Sequence, residues 1–206
     1  MLEGFMATST LMLVRFRRWN EILNWPQPAQ EMRVVTAAWH FARGMALSAT
    51  GKGAEASVEL EQLRKAKDTL PKDAAFGLNS AQNVLEIAEH VLTAKIALAG
   101  GQNKKAIELL RKAVEMEDAL AYDEPPGWFL PARESLGGAL LLSRDYSEAE
   151  KVFRADLLKN ARSGRSLFGL QESLKAQGKA SAAAMVQAEF ERAWRNADVQ
   201  LRVQDL

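Results

Sequence analysis

The side chains with most chemical reach in this sequence are two histidines, His40 and His90, and the loop carboxylates Asp123 and Glu124 beside Trp128, with Arg133 and Glu134 following. Imidazole and carboxylate are donors that zinc or nickel would take, and a carboxylate pair is the machinery of glycoside hydrolysis. Spacing argues against both. Paired carboxylates act on a glycosidic bond when they face one cleft at about 5 to 10 Å, and adjacent residues in a loop rarely do. The absence of cysteine removes thiolate ligands, disulfides and cysteine nucleophiles together. Gly51-Lys52-Gly53 and Gly100-Gly101 lack the spaced Gly-Lys-Ser/Thr ending of a phosphate loop, and no Gly-x-Ser-x-Gly elbow occurs. We therefore expect no catalytic residue, no cofactor and no metal. The alternative is a small-molecule- or metal-binding protein centred on His40, His90 and the Asp123-Glu124 loop.

The elements that hold these residues are constrained by composition. With 206 residues, 48% of them apolar, the chain is able to hide roughly 70% of its unfolded surface. Lys and Arg number 27 against 26 Asp and Glu, so there is no basic field to bind nucleic acid. The apolar run 5–14 has no basic segment before it, and Arg15, Arg17 and Arg18 come after, the reverse of an export signal. Cytoplasm is the default expectation, with export left open. No later run reaches the roughly 18 to 20 apolar residues of a membrane span, so no membrane role is expected.

Self-similarity organises the rest. Arg133, Leu136, Gly137 and Leu140 are followed by the link Ser143-Arg144-Asp145-Tyr146-Ser147-Glu148 and then by Ala149 and Phe153. The same grid takes His40, Arg43, Gly44, Leu47, Ala56 and Leu60, then His90, Ala94, Ala97, Ala106 and Leu110, then Leu167, Leu170, Leu174 and Ala183. A shorter match runs from Leu13 to Ile22, where Pro26 cuts the helix short. Ile22, Ala56, Ala106, Ala149 and Ala183 are 34, 50, 43 and 34 residues apart. The pattern W-x2-L-G-x2-Y, then A-x3-F, at a 34-residue period is that of the tetratricopeptide repeat, and the chain resembles that family over nearly its whole length. Ala94 and Gln171 replace the first-helix glycine, and the closing Pro is missing. Residues 122–199 also resemble the C-terminal part of larger bacterial repeat proteins, which carry further hairpins upstream. The surplus in the longer intervals falls at 69–80, where Asn79 or Ser80 is a suitable N-cap, and at 122–129, stiffened by Pro125 and Pro126.

The resemblance implies an all-α, right-handed solenoid in one domain over 1–206, with a partial hairpin 3–28 and hairpins 30–69, 80–120, 131–160 and 163–197, and strand content essentially nil. His40 and His90 fall where the family usually places Trp, which makes them packing residues of neighbouring hairpins, roughly 10 Å apart and too distant for one ion. Gly137 and Ala149 let the two helices of a hairpin approach closely. Carried over by the grid, the concave groove holds Phe41, Met45, Lys95, Leu98, Glu134, Leu141, Arg165, Phe168, Glu172 and Lys175. The implied function is a non-catalytic scaffold that takes a protein or peptide segment there. Val186, Phe190 and Trp194 on the last helix would cover one end of the stack, whereas Phe5, Leu11, Leu13 and Trp19 would leave the other end apolar and open to self-association or fraying.

Overall fold

The computed structural model describes residues 2–29 and 31–206, except for the side chain of Leu2. Gln30, the expected start of one hairpin, lies outside them. The described residues gather into two compact units, the first running to Leu130 and the second Pro131–Leu206.

In the first unit, helices α1 (Leu2–Arg15), α2 (Trp19–Asn24), α3 (Arg33–Ala49), α4 (Gly53–Asp68), α5 (Ala81–Ala99) and α6 (Asn103–Asp118) pack as successive hairpins. The second unit contains α7 (Ala132–Leu142), α8 (Tyr146–Lys159), α9 (Gly164–Ala176), α10 (Ala180–Trp194) and a 3-10 turn, Val203–Asp205. Among the described residues, strand is confined to one short hairpin, in keeping with an essentially all-helical chain. Between α4 and α5, β1 (Ala75–Phe76) and β2 (Asn79–Ser80) form a two-residue antiparallel ladder closed by Gly77 at φ +63°. Asn79 and Ser80 make no side-chain cap on α5. Asn79 instead clasps the backbone of Ala121, accepting from its N at 2.8 Å and donating to its O at 3.1 Å, which ties the surplus segment to the end of α6.

The hairpin turns are built alike. In each, one residue takes the left-handed conformation: Arg17, Gly51, Gly101, Arg144 and Gly178. The next residue donates its backbone N–H five residues back: Arg18 to Leu13, Lys52 to Leu47, Gln102 to Ala97, Asp145 to Leu140 and Lys179 to Leu174, at 2.8 to 3.0 Å. This is the 6→1 bond of a Schellman motif, which satisfies a carbonyl that the helix end leaves open. The five turns recur at the intervals of the small-residue series, so backbone geometry and side-chain pattern mark one register.

The gridded apolar positions other than the half-buried Leu13 are buried: Ile22, Leu47, Ala56, Leu60, Ala94, Ala97, Ala106, Leu110, Leu136, Leu140, Ala149, Phe153, Leu167, Leu170, Leu174 and Ala183. Gly137 is where the close approach occurs, because a Cβ there would stand 2.3 Å from Phe153 Cζ. Gly44 differs in its partner: its Cβ would meet Leu92 of α5 at 2.5 Å, so it serves the next hairpin and not its own. Ala7, Leu11 and Val14, spaced 4 and 3 apart, form the buried side of α1, which packs on α3. Leu11 is thus core and not part of an open apolar end. Phe5 remains exposed, with Phe16 and Trp25.

Two substitutions separate the turn from its surroundings. Nothing lies within 4 Å of a Cβ added at Gly101 or at Gly53, but only Gly101 has positive φ, +73°. Gly101→Ala is expected to lose roughly 1 kcal/mol through left-handed strain, whereas Gly53→Ala stays within about 0.5 kcal/mol of the parent or gains; urea unfolding midpoints read both. In the second unit, Gly169→Ala drives a methyl into Phe153, 2.1 Å from Cζ, and should cost about 1 to 3 kcal/mol. Phe153→Leu in the same chain should recover part of that loss, and strict additivity would show that the ring is not the obstacle.

Candidate functional site

The second unit brings together several expected groove residues, on α7 and α9. Glu134, buried on α7, accepts from Arg165 Nε at 2.8 Å and from Ser163 Oγ at 2.9 Å. With its guanidinium held at one edge, Arg165 donates through Nη2 to the backbone oxygen of Asp205. Ser135, one position after Glu134, donates to the backbone oxygen of Leu206 at 3.2 Å. Leu206 lies over Gly138, where a Cβ would be 2.8 Å from Leu206 Cβ. Residues of the 199–206 segment therefore rest on the face that the repeat grid assigns to a ligand.

That segment is locally organised. Asp205 accepts from the Arg202 backbone N at 2.9 Å and from its guanidinium, closing the turn Val203–Asp205. Trp194 Nε1 donates to Val199 O at 2.8 Å, and Phe190 stacks on Trp194 and tilts against Phe168. Phe168 and Glu172 are half-buried, while Lys175 is exposed and pairs with Glu172 at 3.0 Å. Three expected groove residues need correcting. Glu134 and Leu141 are buried, the first beneath Arg165, so neither offers an open surface. In the first unit Phe41 is fully buried, edge-on to Trp128 at 5.6 Å, because the loop 122–129 folds its aromatic inward. Met45, Lys95 and Leu98 are half-buried on α3 and α5.

Two of the residues that invited chemistry, His40 and Asp123, are engaged internally. His40 Nδ1 lies 2.7 Å from Glu59 Oε2 on α4, and Arg43 Nε donates to Glu59 Oε1 at 2.8 Å. Arg43 also sits 4.7 Å from the Trp39 ring centre and donates to Leu23 O, while Trp39 Nε1 donates to Trp25 O, so the cluster holds the end of α2. Burial pushes the Glu59 carboxyl up, but the bonds from His40 and Arg43 outweigh it and hold it below its ordinary value. Burial lowers the proton affinity of His90. Asp123 accepts from the Leu78 backbone N at 2.7 Å, which commits it to the β-turn. Among the described residues no group of three or more His, Asp or Glu stands close enough to hold a metal. The sequence pattern did not single out Glu59, Glu89, Glu150 or Asp156. Each is a carboxylate at helical spacing, and only the fold shows which partner it meets.

Those carboxylates join successive helices. Glu89 on α5 accepts from Arg64 Nε at 2.7 Å and Lys67 Nζ at 2.6 Å, both on α4. The Lys179 ammonium holds Glu150 down to about 2 against the opposing effect of burial, with help from Gln177 and Arg154. Burial pushes Asp156 up despite its bonds from Ser166 and Asn160.

No protein-family model and no curated protein matches the sequence. Among solved structures, the kinesin light chain-like protein of Podosopora anserina with nearly identical TPR-like repeats is similar at 18% identity and TM-score 0.54, covering 96% of this chain and 96% of that one. A singly substituted form of that protein gives TM-score 0.56 and 18% identity over 94% of this chain and 96% of that one. The fold is TPR-like. No helix among the described residues is long and apolar enough to cross a membrane.

Glu89 gives a pH dependence with a definite sign. Burial raises its pKa, but Lys67 and Arg64 more than reverse this, so the folded value lies below 4.5. The folded chain takes up that proton less readily than the unfolded one, so the contribution is complete above pH 4.5 and fades as pH falls through the folded value. Glu89→Gln should cost about 1 to 3 kcal/mol at pH 7, and the gap to the parent should narrow as pH falls from 7 to below 4.5. Urea unfolding across that range checks it, and a gap that stays constant with pH would show that the carboxylate charge is not what stabilises.

Proposed function

We propose that this protein is a non-catalytic interaction scaffold that takes a protein or peptide segment on the first-helix face of its hairpins, above all on the α7–α9 face. The observation that carries this reading is the seat of residues 199–206. A short stretch of chain already lies there, with its backbone oxygens on Ser135 and Arg165 and an aliphatic side chain over Gly138. Recognition through backbone groups with one or two side-chain anchors is how folded domains take short segments. The TPR-like fold supports the same reading, because such repeats generally serve as non-catalytic protein-binding frameworks. Phe168, Glu172 and Lys175 continue the face along α9 and combine an aromatic with paired charges, the composition of a contact surface. In the first unit, Met45, Lys95 and Leu98 are the corresponding candidates.

Affinity capture with the tagged full chain tests the assignment. Phe168→Ala with Arg165→Gln should reduce recovery of a partner at least about tenfold, while Lys151→Glu with Arg154→Glu, on exposed positions of α8, should leave it unchanged. Full recovery by a folded α9 variant would place the contact elsewhere.

A further inference from the structure

Gly138 is an unusual choice for the middle of α7, since glycine is the least favourable residue there after proline. Its neighbour Gly137 is accounted for by Phe153. The three atoms nearest a Cβ at Gly138 all belong to Leu206: Cβ at 2.8 Å, the backbone carbonyl carbon at 3.2 Å and Cα at 3.5 Å. The second glycine is thus a slot shaped to a single aliphatic residue arriving from 199–206.

Two kinds of hydrogen bond near the slot bear on what it selects. Ser135 and Arg165 hold backbone oxygens of Leu206 and Asp205, which any residues in that conformation would present. Specificity rests on the two buried side chains. Leu206 fills the slot, and the Asp205 carboxylate accepts from Arg202 N and its guanidinium, holding the turn that aims the leucine. Of residues 199–206, only Asp205 and Leu206 are buried.

We infer that the α7–α9 face is a receptor for a partner segment that presents an acidic residue followed by a leucine-sized aliphatic at the end of a tight turn, and that residues 202–206 are the built-in competitor of that segment. The inference rests on the α7–α9 face being the binding surface proposed above, and adds which chemistry it selects and what occupies it first. A tethered segment acts at an effective concentration in the millimolar range, so weak intrinsic affinity suffices to fill the slot. An incoming segment must displace it, and its apparent affinity is lowered by the occupied fraction.

The probe is a fluorescein-labelled peptide of residues 199–206, Val-Gln-Leu-Arg-Val-Gln-Asp-Leu, titrated by anisotropy against the full chain and its Asp205→Gly, Leu206→Gly variant. The variant should bind the peptide at least about tenfold more tightly than the parent chain. A peptide with Ser in place of its final leucine should lose that binding. Adding Gly138→Leu to the variant, a good helix former that fills the slot, should abolish it. Hydrogen exchange on α7 confirms that each chain is folded, and in the parent chain excess peptide should speed exchange at Asp205 and Leu206. Equal affinity of parent and variant, or binding that survives Gly138→Leu, overturns the inference. Should partner capture respond to Phe168→Ala with Arg165→Gln while this peptide fails to bind the variant, the scaffold reading stands and the acidic-aliphatic specificity falls.

Discussion

The α7–α9 face depends on how closely α8 approaches both of its neighbours, and Phe153 sets that distance. Its ring occupies the space where Gly137 on α7 and Gly169 on α9 would otherwise carry side chains, with hypothetical Cβ positions 2.3 and 2.1 Å from the ring. A single aromatic therefore fixes two helix crossings. Interiors are packed to crystal density and pass displacements on with little loss. Any shift of the ring moves Glu134 relative to Arg165, and with them the hydrogen bonds that meet Asp205 and Leu206. The first unit solves the same problem with a different partner, Gly44 against Leu92. A small residue on a first helix is a statement about proximity, and which neighbour comes near varies with the hairpin.

Charge has a secondary role that is consistent along the chain. Glu59 bridges α4 to His40 and Arg43 on α3, Glu89 bridges α5 to Arg64 and Lys67 on α4, and Glu150 on α8 meets Lys179 in the turn before α10. These carboxylates are partly shielded from water, where a paired charge resists removal of its partner more than a surface pair does. Their effect on function is to consume chemistry. The imidazole of His40 and the carboxylate of Asp123, which in isolation suggest a ligand site, are bonded to Glu59 and to the Leu78 backbone.

Much of the fold was legible because the repeat is local. The turn residues 17, 51, 101, 144 and 178 lie five positions before the small-residue series, and both follow from short-range sterics that a pattern of glycines, alanines and leucines records. What the pattern missed is non-local. Trp128 reaches Phe41 across most of the first unit, and Leu206 reaches Ser135 from 71 residues away. No periodicity encodes either contact. The grid accordingly placed Phe41 and Leu141 on an open face, when an insertion buries the first and the helix packing buries the second. The glycine missing at Gln171 was also misleading, since Gly169, two positions earlier, supplies the close approach.

The pair Gly137-Gly138 shows how far a residue type can be read without its surroundings. Both cost helix stability, so each needs a compensating contact. Sequence reasoning supplies one for Gly137, because a second helix must cross there, and supplies none for Gly138. In the structure the two point at different bodies, the Phe153 ring and Leu206. Adjacent residues on a helix are about 100° apart, so one side of α7 serves the hairpin and the next serves whatever lies on the face. Packing within the hairpin and contact with residues 199–206 are separated by one residue step, so the residue on that face is free to vary while the crossing distances stay fixed.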